Sequence, residues 1–170
     1  MVVRPGEHAA VSSALGDLAP RVEYVVGGAS RHDSEWRAVR HLEPAIAAGE
    51  VDVVAVHDAA RPRAGVALFA EVVRVARESG GAVPVVSLPQ VVARDGRPHG
   101  ERLVAVQTPQ AFRAEPLLAA YRAADADGFQ GTDTSASVER FAAHVRIVAV
   151  PGHQANAKIT FAADLPVGQA

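Results

Sequence analysis

Asp58 and Arg61 stand three residues apart in the string His57-Asp58-Ala59-Ala60-Arg61-Pro62, directly after the apolar run Val51 to Val56. A carboxylate suits a metal ion or a sugar hydroxyl, and a guanidinium suits phosphate through its paired donors. A short apolar run closed by a polar turn reads as a fully buried strand. Ligands of open parallel sheets bind beyond the carboxyl ends of strands, so this string falls where chemistry is expected. Pro62 stops the strand and fixes the turn. The plainer account is a surface ion pair after a strand.

Four other groups carry chemistry-bearing side chains. Gly27-Gly28-Ala29-Ser30-Arg31-His32-Asp33-Ser34 joins a strand to a helix. Its glycines let backbone approach a ring or a phosphate, and Ser34 is read as the opening residue of the helix. It lacks the Gly-Lys-Ser/Thr of a P-loop. Thr108-Pro109-Gln110-Ala111-Phe112 offers a hydroxyl beside a bend, or else a turn that starts a helix. Thr132-Asp133 has the form of a helix cap. In Asn156-Ala157-Lys158-Ile159-Thr160, strand alternation would aim Asn156, Lys158 and Thr160 one way, with Lys158 reaching phosphate as a point charge. The plainer account there is a solvated edge strand.

The elements that must position these groups alternate. Strands are expected at 22–26, 51–56, 82–88, 145–150 and 157–161, and helices at 34–48, 66–78, 114–126 and from Asp133 to about Ala143. A further helix start is cut off by Pro166. Between Val91-Val92 and Leu103 to Val106, a turn at Asp95-Gly96 marks a hairpin or arm. Such alternation means a parallel sheet with helices on both faces. No repeat or long linker divides the chain, so residues 1–170 are expected to form one domain, with an arm at 88–107 inside it.

Composition narrows the classes. An apolar fraction of 49% in 170 residues is enough for a core. Seventeen basic against 19 acidic residues give a net charge of −2, and no basic stripe argues for nucleic acid. With no Cys there are no disulfides or thiolate metal sites, which is compatible with a cytoplasmic protein. Met1 to His8 has no apolar stretch of the signal-peptide kind, and no run approaches the ~20 apolar residues of a membrane span. The 7 His residues fall at no helical or zinc-finger spacing.

The ordered series Gly27-Gly28-x-x-Arg31-x-Asp33-Ser34, His57 to Pro62, Thr108 to Phe112, Thr132-Asp133 and Asn156-x-Lys158-Ile159-Thr160, ending at Ala163-Asp164-Leu165, spans nearly the whole chain. It resembles the 2-C-methyl-D-erythritol 4-phosphate cytidylyltransferases of non-mevalonate isoprenoid biosynthesis. Related ribitol-phosphate enzymes usually carry Ser-Val in place of Ala59-Ala60, which argues against that substrate. The resemblance implies an α/β, Rossmann-like nucleotidyltransferase fold, with a mostly parallel sheet, helices on both faces and a protruding β-arm. It implies that Gly28, Arg31, Ser34, Asp58 and Ala59 contact CTP, with Asp58 at the Mg²⁺ and triphosphate. It further implies that Arg61, Thr108, Thr132 and Lys158 hold methylerythritol phosphate, with Lys158, Asp58 and Arg61 as the catalytic group. A cytoplasmic homodimer, joined through the arm and acting without nucleic acid or membrane, completes the expectation.

Three departures from the family pattern stand out. The family's first strand and its Gly-rich loop, of the form Ala-Ala-Gly-x-Gly-x-Arg, have no counterpart in these residues, and Met1-Val2-Val3 reads as the tail of a later strand. The family's Asp-Thr-x-Lys falls on Ser87-Leu88-Pro89-Gln90, and its arm Arg falls near Gly100, with Arg97 and Arg102 close by. A missing central strand would leave one side of Val51 to Val56 open. The alternatives that follow are a non-catalytic nucleotide-binding or dimerisation module and a cytidylyltransferase for another polyol phosphate.

Overall fold

In the computed structural model, residues 1–88 and 103–165 are described. The chain divides into two compact units, residues 1–54 with 113–145 and residues 55–112 with 146–170.

In the first unit, β1 (Val2–Val3) pairs in parallel with β2 (Val25–Val26). Between them run α1 (His8–Leu15) and a 3₁₀ turn at Gly16–Arg21. No residue of α1 is buried, so no apolar stripe announces it in sequence. α2 (Arg31–His41) and α3 (Glu43–Ala47) occupy the stretch expected as one helix. Pro44 has no N–H to continue the ladder, so the helix stops at Leu42 and restarts in the next turn. The N-cap of α2 is Ser30, whose hydroxyl accepts the Asp33 N–H at 3.0 Å; Ser34 lies inside the helix.

β3 (Val53–Val56) carries the chain from the first unit into the second. The second unit continues with α4 (Gly65–Ser79), β4 (Gly80–Ser87), β5 (Val104–Val106) and β6 (Gln110–Arg113). The chain then returns to the first unit as α5 (Ala114–Asp127) and α6 (Thr134–Phe141). Asp133 caps α6 by accepting the Ala136 N–H at 3.0 Å, as its sequence position implies. β7 (Arg146–Pro151) closes the second unit.

The larger sheet has the order β3-β6-β4-β5, with β7 also on β4. A strand has two edges, so the three partners of β4 share them by register. β7 runs parallel to Gly80 through Val85, while β6 faces Gly81 and Ala82 and β5 faces Val85 to Ser87, both antiparallel. β6 and β5 thus lie end to end along one edge, separated by Gln107, Thr108 and Pro109. The stretch from Thr108 to Phe112, expected as a bend or helix start, supplies the strand β6. Its Gln110, Ala111 and Phe112 are buried despite their mixed polarity.

β3 is the end strand of this order, and Ala55 is exposed while Val54 is 8% exposed. The run is therefore not buried on all sides, because one of its edges has no strand partner among the described residues. The strand expected at 157–161 does not form. The backbone N–H of Ile159 turns to Ala60 O, and those of Thr160 and Phe161 turn to the Asp164 carboxylate, ahead of a 3₁₀ turn at Ala162–Asp164. The arm segments at 91–92 and 95–100, together with Pro166, lie outside the described residues. At the two ends of the described stretches that flank the expected arm, Leu88 N–H donates to Leu103 O at 3.1 Å.

Candidate functional site

The second unit gathers Asp58, Ala59, Arg61, Thr108 and Lys158. β3 ends at Val56, and the turn that follows is closed by the Arg61 N–H on Asp58 O at 2.9 Å. That turn brings the Arg61 Nε to 3.9 Å from Asp58 Oδ2. Lys158 Nζ approaches the same oxygen at 3.1 Å. The Arg61 and Asp58 side chains are 14% and 18% exposed, and that of Lys158 is 45% exposed. One carboxylate oxygen thus faces two cations, one of them open to solvent. Ala59, in the same turn, is exposed.

Thr108 is tied into this turn from the other side. Its hydroxyl oxygen accepts the Asp58 N–H at 3.0 Å and lies 3.2 Å from His57 Nδ1. His57 Nε2 is 3.1 Å from Arg61 O, which only accepts, so Nε2 donates to it. The His57 ring packs edge-on to Phe69 of α4 at 4.9 Å. His57 therefore laces the turn, a role the string alone did not reveal. Asn156 and Lys158, expected to face one way, do not: Asn156 is 0% exposed, whereas Lys158 is exposed.

The first unit gathers Gly28, Arg31, Ser34 and Thr132. Gly28 N–H donates to the Ser34 hydroxyl at 3.1 Å, and that hydroxyl donates to Ser30 O at 2.8 Å. A Cβ on Gly28 would lie 2.3 Å from the Asp33 Cβ, so only glycine lets the loop fold against the helix start. Arg31 donates to Thr132 O at 2.8 Å and pairs with Glu35 at 3.0 Å. Ser30 donates to Gln130 Oε1 at 2.7 Å, Gln130 Nε2 donates to Asp33, and Gly131 N–H reaches His32 Nδ1. The first turn of α2 thereby holds the loop that carries Thr132.

Under this loop, Glu35 accepts hydrogen bonds from the Tyr121 hydroxyl and, at 3.1 Å, from Thr134. Burial, and then the neighbouring Glu35 charge, push ionisation of the Tyr121 hydroxyl far above its ordinary range. The side-chain hydrogen bond from Gln130 holds the Asp33 carboxyl below the usual carboxylate range, helped by Ser30. Glu35 and Gln130 are not singled out by the sequence, because Tyr121 and Thr134 for the one, and Ser30 and Asp33 for the other, are partners distant in sequence.

Among the described residues, no three His, Asp or Glu side chains gather as a metal site. Asp58 is then a single carboxylate donor. That donor set fits Mg²⁺, which takes one or two carboxylates and completes its shell with phosphate and water. No helix among the described residues is long and apolar enough to cross a membrane.

The 2-C-methyl-D-erythritol 4-phosphate cytidylyltransferase of Symbiobacterium thermophilum is 37% identical over 99% of this chain, which spans 72% of that protein. Among solved structures, the 4-diphosphocytidyl-2C-methyl-D-erythritol synthase of Anaerococcus prevotii has a TM-score of 0.79 at 25% identity, covering 96% of this chain and 73% of its own. The 2-C-methyl-D-erythritol 4-phosphate cytidylyltransferase of Thermus thermophilus has a TM-score of 0.68 at 32% identity, covering 83% and 68%. The family model described as IspD, 2-C-methyl-D-erythritol 4-phosphate cytidylyltransferase, matches residues 1–170, and the chain belongs to that family.

Proposed function

We propose that this chain transfers the cytidylyl group of CTP to 2-C-methyl-D-erythritol 4-phosphate. A phosphate oxygen of the polyol phosphate forms a bond to the α-phosphorus of CTP. The bond from that phosphorus to the bridging oxygen breaks, and pyrophosphate leaves with the electron pair. No covalent enzyme intermediate is involved. The observation that carries this reading is the approach of Lys158 and Arg61 to one oxygen of Asp58. Two cations beside a carboxylate suit a reaction in which phosphate charges must be brought together and held in line.

Lys158, the more exposed cation, orients the attacking phosphate and offsets its charge. Arg61, Thr108 and Thr132 are assigned to the polyol phosphate, and Gly28, Arg31, Ser34 and Ala59 to the nucleotide. Asp58 would hold Mg²⁺, which supplies charge neutralisation on the triphosphate when bound. A homodimer through the arm belongs to the same reading. The exposed Leu88, Val104 and Val106 at the arm's base support it, with exposures of 42%, 47% and 46%. A cytoplasmic location belongs to the same reading. The test is pyrophosphate release with CTP, Mg²⁺ and methylerythritol phosphate, run beside Asp58→Ala. Release that disappears in the variant is expected; release that persists removes Asp58 from the reaction.

A further inference from the structure

Two side-chain amides enclosed in the second unit underlie its charged groups. Gln107 and Asn156 are 4% and 0% exposed. Asn156 Nδ2 donates to Gln107 Oε1 at 3.2 Å and to Thr108 O at 2.9 Å. Gln107 Nε2 donates to His153 O at 2.9 Å and to Asn156 O at 3.3 Å, while its Oε1 accepts the His153 N–H at 3.2 Å. Both amide nitrogens face carbonyl oxygens, which only accept. Turning either amide over would set oxygen against oxygen, so the orientation of each is fixed.

Every segment tied in this way carries a group assigned above to the reaction. Asn156 O accepts from Arg61 Nη1 at 2.7 Å. Thr108, whose carbonyl Asn156 holds, accepts the Asp58 N–H through its hydroxyl. Lys158 leaves the backbone just beyond Asn156, and the next residue, Ile159, is fastened to Ala60 O at 2.8 Å. Gly152 is fitted to the pair, since a Cβ there would lie 2.6 Å from Gln107 Oε1. Burying amides is costly unless their bonds are made, and an apolar pair would fill the same space. Asn156 Oδ1 is buried without a partner, whereas both amide nitrogens and Gln107 Oε1 are bonded. What those bonds add is direction, because they select one arrangement of the backbone around them.

We propose that Gln107 and Asn156 are positioning residues. They touch no substrate, and they set the backbone on which Arg61, Thr108 and Lys158 are aimed. The kinetic part of the test rests on the cytidylyltransferase reading, and the spectroscopic part does not. Asn156→Asp and Gln107→Glu are near-isosteric and set a carboxylate oxygen against carbonyl oxygens. Asn156→Ser and Gln107→Met are milder replacements if those fail to fold, as judged by thermal unfolding.

In the full chain, kcat is expected to fall by tenfold to about a hundredfold, the scale of small misplacements in a reacting geometry, with KM for CTP nearly unchanged. The ratio of Asn156→Asp to unsubstituted activity is expected to rise toward acid pH, where the introduced carboxyl regains a donor proton. The guanidinium N–H signals of Arg61 in nitrogen-15 NMR are expected to be sharp in the unsubstituted chain and lost or broadened in folded variants. A kcat within about twofold of the unsubstituted chain, or unchanged Arg61 signals, overturns the proposal. If the unsubstituted chain releases no pyrophosphate, the enzymatic reading fails, and the Arg61 signals alone decide the positioning role.

Discussion

Lys158→Met removes one charge and keeps most of the side-chain length, so it separates chemistry from architecture. The lysine side chain is 45% exposed and lies 3.1 Å from Asp58, whose side chain is 18% exposed. A half-exposed ion pair is screened by solvent and contributes at most about 1 kcal/mol to stability. For a chain of this size, that is a shift of roughly 2–4 °C in the unfolding midpoint. Loss of a cation that orients the attacking phosphate and offsets charge in the transition state costs on the order of 10²–10³ in rate. The assay pairs thermal unfolding with pyrophosphate release at saturating CTP. The reasoning predicts a large fall in rate with a small shift in midpoint. A fall under about tenfold would remove Lys158 from the reaction. A midpoint shift several times larger would make it a structural residue. Lys158→Arg, which restores charge in a planar fork, is expected to recover only part of the rate.

Other consequences concern the supporting structure. Tyr121→Phe removes a buried donor to Glu35 and should destabilise by about 2 kcal/mol, the scale of a hydrogen bond to a charged group. Because folding raises the Tyr121 pKa, its contribution is fully present below the ordinary value of 10.0 and is lost as pH rises above it. Denaturant titrations should show this alkaline loss in the unsubstituted chain and a shallower one in the variant. Gly28→Ala places a Cβ 2.3 Å from the Asp33 Cβ, which no side-chain rotation relieves, and should cost roughly 1–3 kcal/mol in denaturant unfolding. Asp164 is held below the usual carboxylate range by the Phe161 and Thr160 N–H groups. Its support for the turn is present above that range and lost as pH falls through its depressed pKa. Asp164→Ala should therefore speed hydrogen exchange at the Thr160 and Phe161 amides at neutral pH.

What the sequence made legible were features with local causes. Asp133 reads as a cap, and caps, because the α6 donors it satisfies lie within three residues. The helices expected at 66–78 and 114–126 form as α4 and α5, because their helical period is written in neighbouring residues. Two local signals also lie in the sequence: Ser30, three residues before Asp33, is the start signal of α2 in place of Ser34, and Pro44 marks the helix break after Leu42. Other features depend on distant partners. β6 is a strand because it lies against β4, although Gln110 and Arg113 give it no alternating pattern. Asn156 and Lys158 suggested one face of a strand, but the Gln107 amide draws Asn156 inward and Ala60 captures the Ile159 N–H. The Asp58, Arg61 and Lys158 group was readable as a set of charges. The route by which His57 and Thr108 fasten it was not.

The most direct test of the central claim is phosphorus NMR of the full chain incubated with CTP, Mg²⁺ and methylerythritol phosphate. The account predicts loss of the polyol monophosphate signal, growth of inorganic pyrophosphate, and a new pair of mutually coupled diphosphate resonances in equal amount. Pyrophosphate and CMP formed at the same rate without the polyol phosphate, or no change in any signal, would contradict it.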